Sequence, residues 1–86
     1  MPRPMLSEEE RLRGQKLGYE LRRLRGKRTA AEVARAADVP LDTLRKLEQG
    51  AVSSPGFFLI ARLARELNAS LGEIASRTTA TRGPSR

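Results

Sequence analysis

Leu41, Asp42, Arg45 and Lys46 fall at spacings that place them together on the outer side of a short helix. The set joins an apolar side chain, a hydrogen-bond acceptor and two cationic donors. The stretch that contains it, Thr29 to Gly50, reads as two short helices joined by a tight turn. Ala34 and Ala37 are small enough for two backbones to approach closely. Val33, Val39, Leu44 and Leu47 supply the apolar positions that fix the angle between the helices. Asp38 stands where the first of them must stop, and Asp tolerates a left-handed turn. A helix held at a fixed angle with donors and acceptors on its outer face is the arrangement of a helix-turn-helix reading head.

Other chemistries are poorly supplied. The chain has no His and no Cys, which excludes disulfides, zinc fingers and every catalytic arrangement built on those residues. Its acids stand mostly at helix starts, so neither an acid–base pair nor a metal cluster can be assembled. No enzymatic activity, cofactor or metal is expected.

The elements that must position the reading head are legible as five helices, about 8–25, 30–37, 41–49, 55–67 and 71–77. Ser7 with Glu10, Thr29 with Glu32, and Ser70 with Glu73 have the capping-box spacing. Glu8, Glu9 and Glu10 complement the positive end of the first helix dipole. Leu17, Leu21 and Leu24 form its apolar stripe, and Gly26 ends it. Pro40 pre-sets entry into the third helix and Gly50 stops it. Ser54 before Pro55 is the start signal of the fourth helix, with Ile60, Leu63, Ala64 and Leu67 as its inner face. The class is all-α: a five-helix bundle over 7–77, between a loose N-terminus (1–6) and a disordered basic tail (78–86). Phe57 and Phe58 cannot point the same way on one helix, so Phe58 is expected to be exposed.

With 86 residues, 38% hydrophobic and 3% aromatic, this is one small domain with an aliphatic core. Such a core is marginal unless the helices are well capped or the protein dimerises. No apolar run approaches the roughly 18 residues of a membrane helix, and the N-terminus lacks the apolar centre of a signal peptide, so a cytoplasmic protein is expected. A formal charge of +7 suits a polyanionic partner. From Arg11 to Arg28 eight basic residues face one acid, Glu20. Phosphate contacts should supply most of the affinity. The candidates are Arg22, Arg23, Lys27, Arg28, Thr29 and Thr43, with Ser53 and Ser54 in the loop before the fourth helix.

From Leu17 to Ile74 the chain resembles the helix-turn-helix domain of the Cro/phage-repressor (XRE-type) class. The resemblance runs through LGYELRRLR (Leu17 to Arg25), TLRKLEQG (Thr43 to Gly50), SSP (Ser53 to Pro55) and IARLARELNASLGEI (Ile60 to Ile74). It implies that the third helix lies in the major groove, with Leu41, Asp42 and Lys46 at base-contacting positions and Arg45 beside them. Leu41 would pack on a thymine methyl and Asp42 accept from a cytosine amino group, while Arg45 or Lys46 donates to guanine O6 and N7. It also implies a structural ion pair between Arg25 and Glu48, tying the first helix to the third. Three departures stand out. Ala30 replaces a phosphate-gripping Gln, Asp38 replaces the turn Gly, and the loop after LRRLR is about two residues short.

The function these features imply is a sequence-specific regulator of transcription on double-stranded DNA, a repressor acting as a homodimer across two half-sites. The alternative is an antitoxin-like or adaptor protein that works through a protein partner. A nonspecific architectural binder would show steep salt dependence without a preferred sequence. A membrane-surface helix over 8–25 is disfavoured because its Leu stripe is needed in the core. So small a core offers no obvious ligand pocket.

Overall fold

The computed structural model describes residues 7–52 and 54–79. The expectations for residues 1–6, for Ser53 and for 80–86 lie outside the described residues. Five helices follow one another: α1 (Glu8–Arg25), α2 (Ala30–Ala37), α3 (Leu41–Glu48), α4 (Phe57–Glu66) and α5 (Leu71–Thr79). No strand occurs among the described residues.

Local chemistry accounts for the helix starts. Ser7 Oγ accepts from the Glu10 N–H at 3.1 Å, and the Glu10 carboxylate accepts from the Ser7 N–H at 3.0 Å. Thr29 and Glu32 form the same reciprocal box at the start of α2. Ser70 Oγ accepts from the Glu73 N–H at 2.9 Å at the start of α5. These bonds satisfy amides that have no partner within the helix.

The ends share one device. Asp38 after α2 has φ 61°, Gly50 after α3 has φ 79°, and Asn68 after α4 has φ 60°. In each case the next amide reaches back into the helix: Val39 N–H to Ala34 O, Ala51 N–H to Lys46 O, and Ala69 N–H to Ala64 O. The left-handed residue reverses the chain while satisfying carbonyls that would otherwise be orphaned. Asp and Asn carry this at a modest backbone cost that Gly avoids.

Two boundaries differ from expectation by two residues, and α3 and α4 each end one residue early. The fourth helix begins at Phe57, not at residue 55, because Gly56 is extended (φ −67°, ψ 149°) and serves as the cap. Gly loses more freedom than other residues in a helix, so the Ser54–Pro55 signal is spent in the approach. The fifth helix runs through Thr79, so residues 78 and 79 are not tail. Thr78 continues the stripe of Leu71 and Ile74 at helical spacing and is buried.

The core joins Leu17 and Leu21 of α1, Val33, Ala34 and Ala37 of α2, Val39, Leu44 and Leu47 around α3, Leu63, Ala64 and Leu67 of α4, and Ile74 of α5. Phe57 and Phe58 do not join it. They are 64% and 74% exposed, their rings edge-to-face at 5.2 Å, so the expected single exposed ring is in fact two. Ile60, Leu63 and Ala64 occupy the inward side of α4 in their place.

The backbones of α1 and the end of α3 approach closely. A Cβ added at Gly18 would stand 2.5 Å from Leu47 O and 2.8 Å from Glu48 O. At Gly14, one turn earlier, it would stand 2.9 Å from Gly50 O. Only residues without a side chain let α1 lie this close to α3. The Gly-x-x-x-Gly spacing was the available signal, and composition and periodicity passed over it.

Candidate nucleic-acid interface

α3 is fixed at both ends and along its inner side. At its start, Pro40 O accepts from the Leu44 N–H at 3.0 Å, and Val39 is buried beneath the turn. Arg62 of α4 donates to Asp38 O at 3.1 Å, holding the turn from behind. Leu44 and Leu47 face the core and are almost fully buried.

At the C-terminal end the expected ion pair is present. Arg25 Nε and Nη2 donate to the two carboxylate oxygens of Glu48 at 2.8 and 2.9 Å. Both side chains are largely covered, at 17% and 10% exposure. The fork-on-fork geometry adds direction as well as attraction. The same guanidinium donates through Nη1 to Arg28 O at 2.7 Å, which also pins the loop between α1 and α2. The Glu48 bond raises the pKa of Arg25 further above its ordinary value.

Outward from this frame, Asp42, Arg45 and Lys46 are exposed. Asp42 and Lys46 lie one turn apart, with Lys46 Nζ 3.7 Å from the carboxylate. At this exposure the pair contributes little stability and can part for other partners. Leu41 is half-buried against the core, so only part of it is presented outward. Thr43 is half-buried.

The expected phosphate contacts divide into two groups. Arg22 and Lys27 are exposed and form no ion pair among the described residues. Arg23 instead closes on the buried Glu20 at 2.6 Å, and Arg28 on Glu66 of α4 at 2.7 Å. Arg77 of α5 also approaches Glu20, at 3.5 Å. The bond from Arg23 holds the Glu20 carboxyl below its ordinary pKa, against the opposing effect of burial. Arg23 and Arg28 are thus tied into the fold. Thr29 Oγ1 serves the cap of α2, and Ser54 is exposed ahead of α4.

Glu20, Arg62 and Glu66 were not anticipated as partners. Arg62 and Glu66 meet residues 24 and 38 positions away, which no local spacing reports, whereas Glu20 lies one helical turn from Arg23. Gln49 also stands at the exposed rim of α3 without having been anticipated.

Among the described residues, no helix is long and apolar enough to cross a membrane. No curated protein matches this chain. A helix-turn-helix domain family does match it, over residues 16–76. That span begins on α1, takes in the turn at Asp38 and the outward-facing α3, and ends on α5. The chain belongs to this XRE-like family of helix-turn-helix domains, the architecture of DNA-binding regulators.

Proposed function

We propose that this protein is a sequence-specific, double-stranded DNA-binding regulator of transcription, a cytoplasmic repressor without catalytic activity that acts as a homodimer. The observation that carries this reading is the pair Asp42 and Lys46. An acceptor and a donor stand exposed on a helix whose orientation is locked by Arg25 and Glu48. A major groove distinguishes all four base pairs by donors and acceptors, and a rigid outward helix is what reads them. Asp42 accepts from a cytosine amino group, Lys46 donates to guanine, and the exposed part of Leu41 packs on a thymine methyl. The net charge of +7 supplies the nonspecific attraction.

One reading helix spans only a few base pairs, so useful specificity calls for two copies on half-sites about 34–36 Å apart. Phe57 and Phe58 favour association, because two exposed aromatic rings on one turn suit a protein contact. The same rings favour the second reading, an adaptor or antitoxin-like subunit whose partner covers them.

Selection of bound sites from a random duplex pool, at physiological salt, tests the proposal. A palindromic consensus with half-sites one helical turn apart is expected. Binding without a consensus that disappears as salt rises rejects specific reading, and the search turns to a protein partner.

A further inference from the structure

A cleft of about 330 Å³ opens where α1, the start of α2 and the end of α3 meet, lined by Arg22, Arg25, Ala30, Arg45, Glu48 and Gln49. Arg25 and Glu48 neutralise one another within it. Two guanidiniums, Arg22 and Arg45, and one amide, Gln49, are left over. All three side chains are exposed, and neither guanidinium has an ion-pair partner among the described residues. The small side chain of Ala30 occupies one side.

Arg45 lines this cleft, on the side of α3 that Glu48 ties to α1. Arg45, Glu48 and Gln49 are spaced i, i+3 and i+4, one stripe of α3, and Glu48 on that stripe is bound to α1. Asp42 and Lys46 form the neighbouring stripe, joined to each other. Two cations with no counter-charge, sharing one cleft, call for an anion between them. Guanidinium forks match the paired oxygens of a phosphodiester, and a primary amide adds a neutral donor.

Resting on the DNA-binding reading above, we propose that Arg22, Arg45 and Gln49 together grip one phosphate of the duplex backbone. Arg45 then sets register and affinity, and base reading falls to Asp42, Lys46 and the outward part of Leu41. The grip stands beside Ala30, whose small side chain leaves the cleft open.

The test uses the purified chain, its selected duplex, a scrambled duplex, and duplexes carrying one uncharged methylphosphonate linkage at each backbone position in turn. Arg22→Ala and Arg45→Ala should each weaken binding about tenfold on the selected and scrambled duplexes alike. The slope of log K against log salt should fall in each, and by about 0.9, the value of one lost phosphate, when both arginines are replaced. One methylphosphonate position should reproduce that loss, add less than its full effect to either single variant, and add nothing to the double variant. Gln49→Ala should give a smaller, equally uniform loss. Arg45 is exposed and unpaired, so an unchanged melting curve accompanies the binding loss. Relaxed preference at one base pair in Arg45→Ala, with the salt slope unchanged, makes Arg45 a base reader and overturns the proposal. Full additivity of Arg45→Ala with every methylphosphonate overturns it too. A wild-type chain that binds no duplex fails the DNA reading itself, and is told apart because no variant then has anything to lose.

Discussion

Arg25 and Glu48 meet through two parallel hydrogen bonds, at 2.8 and 2.9 Å, across 23 residues of chain. The contact fixes how far α3 is rotated relative to α1, and so which side chains α3 turns outward. It is an orienting device first. Ion pairs this covered gain little over well-packed apolar residues, yet removing one partner strands the other.

Arg25→Ala should therefore cost about 2–3 kcal/mol of stability, because Glu48 is left covered and unpaired and the α1–α2 loop loses its anchor at Arg28 O. Arg25→Met combined with Glu48→Leu should recover most of that loss while still weakening DNA binding. Urea denaturation and a binding titration on the three proteins check both halves. A single variant melting like wild type denies the pair its structural role.

Glu20 should make part of the stability pH-dependent. Its carboxyl is held below the ordinary range, first by the hydrogen bond from Arg23. The unfolded chain therefore takes up this proton before the folded one, so the contribution is present above the unfolded carboxyl value, about 4.3, and fades as pH falls through the folded value. Glu20→Gln should flatten this part of the acid limb, with its stability converging on wild type in strong acid. Stability curves against pH for the two proteins decide it, and parallel curves count against the assignment.

Gly18→Ala sets helix propensity against sterics. Ala is favoured by up to about 1 kcal/mol inside a helix. Its Cβ, however, would stand 2.5 Å from a backbone carbonyl that belongs to α3 and cannot swing aside. The clash should win by about 2 kcal/mol or more, typical of overpacked contacts. DNA affinity should fall as well, because α3 is displaced. Gly72→Ala is the control: its Cβ meets only Ser70 Oγ, at 3.9 Å, so it should hold or raise the melting temperature.

Lys46→Ala and Asp42→Ala should each relax preference at one base pair by about 1–3 kcal/mol, with the fold unchanged because both side chains are exposed. Repeating the duplex selection with each variant reads this directly. An unchanged consensus would remove that residue from base recognition.

Phe58→Ser should leave half-site binding intact and abolish the gain on a full palindrome, since the ring is 74% exposed and outside the core. Titration of half-site and full-site duplexes separates the two effects. Retained cooperativity would move the dimer contact elsewhere.

Much of this molecule is written in its local sequence. Capping boxes at Ser7 and Thr29, the turn at Asp38 and the apolar spacing of α2 and α3 delimit the reading head, because a cap or a helical stripe involves residues only three or four apart. The start of α4 is the exception: Ser54–Pro55 carries a start signal, but extended Gly56 overrides it. The Arg25–Glu48 pair was anticipated from family resemblance, not from local spacing. Packing alone decided that Arg28 closes on Glu66, that both phenylalanines stay outside, and that Gly14 and Gly18 bring α1 against α3. A stretch of sequence specifies charge and helicity through neighbouring residues, but which cation meets which anion depends on contacts such as Arg28 to Glu66, 38 residues apart, formed only once the core has closed.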